Sequence, residues 1–283
     1  MTAKKVRLHE ISSLVQSTPT ARRHSFRIAI VETSGIAAAD LTAEAQVLSD
    51  ATVAALAAWP ALAARMVDTL ANDTSRDPAV RPTVVDALAA ELARRMLKVA
   101  SALATLTAAD AAAQGVDNPS AKPDRARIER VAATFAARIA AGYAAAAVDA
   151  RLHVPVTEAS RLRTAASAVA SAVRTALTAL GTALSGLVPT YVGAAMAAGA
   201  HEGRRSVFEA HPPRYLVADE RPDPNRCGPC AEVDGRRYRT LAAALEDYPT
   251  VGYRLCKGGV RCRGRLRAVW REPNSEAAAT SRR

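Results

Sequence analysis

The chain has 283 residues, 49% of them hydrophobic but only 4% aromatic, and carries a formal charge of +11. That length allows one large or two modest domains. So much alanine with so few large side chains argues against a thick α/β core and for long, closely packed helices. Only five of the 38 basic residues are lysines, so arginine carries the positive excess. That excess fits either an arginine- and alanine-rich coding bias or a polyanionic partner, nucleic acid above all.

The start, MTAKKVRLHEISSLVQSTP, is basic but has no apolar stretch, so no secretory signal is expected. Residues 1–39 read as an N-terminal arm with a basic cluster at Arg22, Arg23, His24 and Arg27. Asp40 is a candidate N-cap for an alanine-rich helix running to about Ala71. NDTSRDPAVRP (72–82) reads as a loop. Leu88, Leu92, Met96, Val99, Leu103 and Leu106 then recur at steps of three and four, one face of a helix of several turns. QGVDNPSAKP breaks it, and Asp124 can cap a third helix with the stripe Ile128, Val131, Phe135, Ile139 and Tyr143. LHVPV is the next break. Thr157 can cap a helix towards Gly186, and Pro189 is expected to stop it, leaving a shorter helix to about Arg205.

Residues 40–205 therefore predict a helical domain in which short loops join antiparallel neighbours. The uncharged run Thr175–Ala200 is long enough to span a bilayer, but Ala, Thr and Gly dominate it and Pro189 divides it. A buried helical segment is expected instead, with no membrane contact. No acidic pair, glycine-rich phosphate loop or histidine cluster stands out in this region.

The composition changes near His211, and residues 206–272 predict a small α+β module, followed by a disordered tail at 273–283. Residues 201–283 hold 17 basic against 11 acidic side chains, a net of +6 in less than a third of the chain. All four cysteines lie here. Cys227 and Cys230 form a C-x2-C pair; after 25 residues Cys256 and Cys262 form a C-x5-C pair. Two chelating pairs around a short insert suit a four-cysteine zinc site, with each pair on a tight turn that lets both thiolates approach one ion at about 2.3 Å. Gly228-Pro229 and Gly258-Gly259 supply turn residues.

The stretch CGPC also matches the dithiol of thioredoxin-like oxidoreductases. That chemistry needs a buried strand before the motif and a helix opening at it, inside a βαβ scaffold. Here DERPDPNR precedes it and Asp234-Gly235, a turn signal, follows four residues on. A tight chelating turn leading into a hairpin is the expectation, and metal binding is preferred to a redox dithiol or a disulfide pair. A metal-dependent nuclease would need His201, His211, Glu232 or Asp234 paired beside the ion, and their spacing shows no such pairing. Asp234-Gly235 should lead into a strand at 236–239, Thr240 should cap a short helix over LAAALEDY, and a last strand should follow Cys262. From Tyr253 to Arg271 there are seven basic residues and no acidic one. Arg254, Lys257, Arg261, Arg263, Arg265 and Arg267 are the candidate nucleic-acid contacts, against the simpler reading of a solvated basic strand.

At RYLVADERPDPNRCGPCAEVDGRRY and GYRLCKGGVRCRGRLRAVW the chain resembles the phage Mu F-like head morphogenesis proteins, minor capsid proteins of tailed phages. Cys227, Cys230, Asp234 and Gly235 fall on the family's C-x2-C-x3-DG element, and Arg261-Cys262-Arg263 on its terminal motif. The chain departs in carrying Cys256 where many members approach the last cysteine through a His-Pro-Asn type segment. The resemblance covers roughly the last 70 residues. It implies a virion component without enzymatic activity, oligomeric in the particle and placed at the portal vertex or capsid interior after assembly in the host cytoplasm. The implied partners are the portal or major capsid protein, with packaged double-stranded DNA as a candidate contact. A cellular nucleic-acid-binding zinc-ribbon protein with a helical oligomerisation region is the alternative. The fold class expected is mainly α: an elongated antiparallel helical region followed by a small α+β zinc-binding module.

Overall fold

A computed structural model describes residues 38–73, 75, 78–153, 163–182, 186–220 and 226–271. The basic cluster at residues 22–27, the Thr157 cap and the tail at 273–283 lie outside the described residues. The described residues from 43 onward form one compact unit.

Five long helices come first: α1 (Ala38–Asn72), α2 (Pro82–Ala113), α3 (Arg125–Leu152), α4 (Arg163–Thr182) and α5 (Leu187–Ala210). Pro82 opens α2, where a missing N–H costs nothing because the first turn has no intrahelical acceptor for it. Asp124 caps α3 as expected, its side chain accepting from the Arg127 N–H. Asp40 is not an N-cap; it falls inside α1, which already begins at Ala38. Pro189 is also misassigned by the sequence: it sits in the first turn of α5 and helps start that helix, which then continues to Ala210. The fixed φ and absent N–H of proline break a helix interior but are tolerated in its first turn.

The α2 stripe is buried from Leu88 through Leu92, Met96 and Val99 to Leu103, all at most 2% exposed, while Leu106 is only half-buried. The α3 stripe holds at Ile128, Phe135, Ile139 and Tyr143, while Val131 is only half-buried. Its true inner face includes Ala132, Ala136, Ala140 and Ala147. Helix α2 packs against α3 and α5, and α3 against α4 and α5. Small residues set the closest approach. A β-carbon at Gly199 would lie 2.8 Å from the Met96 carbonyl oxygen, and one at Gly203 would lie 2.2 Å from that of Ala100. Trp59, Met66 and Leu70 bring α1 into the same core. Arg151, in the last turn of α3, donates to the carbonyls of Leu70 and Asp73 and, at 2.9 Å, to that of Ser75. It thereby satisfies acceptors that the end of α1 leaves open.

By length and composition, α1, α2 and α3 are each apolar enough to cross a membrane, as is the bent pair formed by α4 and α5. The Thr175–Ala200 run is not one helix: it is divided between α4 and α5.

The module that follows contains β1 (Tyr215–Asp219), α6 (Gly228–Val233), β2 (Arg237–Tyr238), α7 (Leu241–Asp247), a 3-10 turn (Gly259–Arg261) and β3 (Arg265–Val269). The sheet order is β2-β1-β3, and both pairings are antiparallel. Thr240 caps α7 by accepting from the Ala243 N–H. Mainly α architecture with a small α+β region is therefore what the chain adopts. The module has its own buried cluster, in which Leu216, Ala218, Leu266 and Ala268 of the sheet meet Tyr238, Tyr248 and Tyr253. It is seated on the helices through Val251 and Val260, which pack on the main core. The Trp270 ring lies 6.1 Å from that of Phe208, tilted by 56°, and its indole N–H donates to the His211 carbonyl at 2.8 Å.

Candidate metal centre

The C-x2-C pair lies at the start of α6. Cys227 is its N-cap and Pro229 stands in its first turn. The expected chelating turn into a hairpin is thus a short helix instead, because Cys227-Gly228-Pro229 has the cap and first-turn residues of a helix start. Asp234-Gly235 ends that helix and leads into β2. Gly235 has φ +77°, and the N–H groups of Gly235 and Ala218 each complete bonds between this turn and β1.

The second pair lies in the segment between α7 and β3, on either side of the 3-10 turn. Cys262 Sγ accepts from the Tyr253 N–H at 3.4 Å and Cys256 Sγ from the Gly258 N–H at 3.3 Å. These bonds fix the orientation of the two sulfurs. Gly252 makes the approach possible. Its φ is +59°, and a β-carbon there would lie 2.4 Å from Cys262 Sγ.

All four cysteines are free. Cys227 and Cys256 sulfurs lie 3.8 Å apart and those of Cys230 and Cys262 3.9 Å apart. A disulfide requires about 2.05 Å. A tetrahedral ion with bonds of about 2.3 Å to sulfur requires S···S edges of about 3.8 Å. The residues therefore fit a thiolate-bound metal. Two triads of ligand atoms lie within 4.8 Å of one another: Cys227, Cys230 and Cys256, and Glu220, Cys230 and Cys262. Cys230 belongs to both.

The electrostatics divide the thiols. Cys227 is lowered to about 7, chiefly by the Cys230 backbone N–H and then by that of Lys257. Burial pushes Cys256 up to about 11 and raises Cys230 as well. A cation between them would offset that penalty.

Glu220 was not visible as a site residue in the sequence. It stands just beyond β1, is 4% exposed, and accepts from the Tyr248 hydroxyl at 2.5 Å. Burial holds its carboxyl above the usual range. Asp234 positions it from behind: one carboxylate oxygen accepts the Glu220 N–H at 2.9 Å and the other accepts from Arg226 at 2.7 Å. Asp234 thus serves the backbone. Neither His201 nor His211 belongs to a ligand-range group among the described residues. His211 accepts from the Ser120 N–H at 3.1 Å and ties the module to the loop after α2.

The six candidate nucleic-acid contacts do not share one role. Arg265 is half-buried and bonds Glu44 and, at 2.8 Å, Asp219. Arg254 pairs with Asp247 at 3.1 Å. The Arg263 guanidinium lies beside Gly193 of α5, and Arg267 is half-buried on β3 opposite Val217. Lys257 and Arg261 are exposed and line an open cleft of about 660 Å³ shared with Gly186, Leu187, Thr190 and Tyr191 at the start of α5.

No family model, curated protein or solved structure matches the chain.

Proposed function

We propose that the chain is a structural protein whose C-terminal module is stapled by zinc, and that it serves as a minor head protein of a tailed phage. The observation that carries the metal reading is the pair of S···S distances, 3.8 and 3.9 Å, between cysteines from two separate segments. Thiolate-rich tetrahedral sites select zinc or iron–sulfur iron, and a shell filled by protein donors leaves no position for a reacting water. The centre therefore contributes folding free energy and no catalysis. Its buried cluster is small, which is the circumstance in which a metal staple is needed.

The phage assignment rests on the resemblance at Cys227, Cys230, Asp234, Gly235 and Arg261-Cys262-Arg263. Placement at the portal or capsid interior follows from it, with packaged DNA met by the exposed cations Lys257 and Arg261. The same two cations serve the alternative reading, a cellular nucleic-acid-binding protein. Mass spectrometry of gradient-purified particles separates the two. The minor head protein is expected in the particles at low copy. Its absence from particles, with the protein present in the surrounding lysate, contradicts the assignment.

A further inference from the structure

We propose that Glu220 is a ligand of the metal centre, giving the ion an oxygen donor beside Cys230 and Cys262. When the ion is four-coordinate, one of the two less buried thiols, Cys227 or Cys256, is then not a ligand. This rests on the metal reading above and goes beyond a four-cysteine set.

A carboxyl group so buried is protonated, paired or bound to a cation, and a cation is the partner that restores its charge. Among the described residues Glu220 has no basic partner; its carboxyl meets the Tyr248 hydroxyl and the Cys230 thiol. The charged groups that bear on it, Asp234 and Asp219, are both acidic. Its oxygens, with the Cys230 and Cys262 sulfurs, form a ligand triad within 4.8 Å, and all three residues are buried. The surroundings are fitted to this position. A β-carbon at Gly264 would lie 2.0 and 2.2 Å from the two carboxylate oxygens, so glycine there leaves the space that Glu220 occupies. The Tyr248 hydroxyl donates to Oε1, and Asp234 fixes the main chain of Glu220. Hydrogen bonding of a ligating carboxylate from outside is the usual supporting arrangement at metal sites.

The test is zinc-edge X-ray absorption on the intact zinc-loaded chain, beside Glu220→Gln and Tyr248→Phe. The wild type is expected to show an oxygen scatterer at about 2.0–2.2 Å together with sulfur at about 2.3 Å. Tyr248→Phe, which removes only the orienting hydroxyl, should keep the oxygen. Glu220→Gln should retain its helical circular dichroism and bind zinc at least about tenfold more weakly. In the wild type, iodoacetamide should modify one thiol per chain, at Cys227 or Cys256. An all-sulfur shell in the wild type, or zinc affinity in Glu220→Gln equal to wild type, overturns the proposal while leaving a four-cysteine centre intact. A wild-type chain that binds no metal overturns the underlying reading instead.

Discussion

Gly203 of α5 lies directly over Ala100 of α2: a β-carbon on the glycine would be 2.2 Å from the alanine carbonyl oxygen. With Gly199 one turn earlier against Met96, it sets how closely the two helices approach. In an exposed helix, Gly→Ala gains about 1 kcal/mol of helix propensity. Here the neighbour is backbone, which cannot rotate away, so Gly203→Ala should destabilise by about 1–3 kcal/mol. Urea unfolding followed by circular dichroism checks the sign, and a gain in stability would contradict the packing described.

Gly252 shapes the loop that carries Cys256 and Cys262. Alanine there meets both a left-handed φ and the Cys262 sulfur at 2.4 Å. Gly252→Ala should lose most zinc affinity while the helices persist. Gly258→Ala is the control, since its β-carbon would stand 3.4 Å from Cys256 Sγ, a far smaller intrusion. Isothermal titration with zinc compares the two, and equal loss in both would contradict the geometry.

His201 on α5 is 8% exposed, and its Nε2 makes no hydrogen bond among the described residues. Burial, then the positive charges of Arg204, Arg205 and Arg127, lower it to about 3. The folded chain therefore holds a neutral imidazole where the unfolded chain, near 6.5, takes up a proton. The stability that His201 contributes is fully present above pH 6.5 and is lost as pH falls towards 3, at up to about 1.4 kcal/mol per unit. His201→Leu should flatten that dependence. The difference between variant and wild-type unfolding free energies at pH 7 and pH 5 isolates it, and an unchanged difference would contradict a buried neutral histidine.

Glu44 near the start of α1 accepts from Arg204 of α5 and Arg265 of β3, and Arg265 also reaches Asp219. Removing one member of such a half-dry network leaves the others charged and poorly paired. Glu44→Ala should cost about 3–5 kcal/mol. Lys257→Ala with Arg261→Ala should leave stability within about 0.5 kcal/mol, because both side chains are exposed. The pair should instead reduce the salt slope of duplex DNA binding by about 2. Fluorescence anisotropy over a salt series measures it, and an unchanged slope would remove DNA from the partners of this surface.

The residues that were legible in the sequence act locally. Asp124 and Thr240 cap the helices they precede because a short side chain needs only the next turn as its partner. The α2 stripe was legible because its spacing is the helix period itself. The four cysteines were legible as a candidate chelating set; the structure divides them between two ligand-range triads that share Cys230, and the second triad includes Glu220. What was hidden depends on distant partners. Arg265 reads as a candidate nucleic-acid contact because its partner Glu44 is 221 residues away. Glu220 gives no local signal because Tyr248 is 28 residues on and Gly264 further still. Pro189 reads as a helix stop and Gly228-Pro229 as a chelating turn, since a proline in a first helical turn has the same local sequence as a proline in a turn or at a helix end.

The metal content of the intact chain tests the central claim most directly. Elemental analysis of protein purified without added zinc should find about one zinc per chain. Cys230→Ser, which removes the sulfur shared by both ligand triads, should abolish it while the far-ultraviolet helical signal is retained. A wild-type chain with no bound metal and four freely reactive thiols, or a Cys230→Ser chain with unchanged zinc, would contradict it.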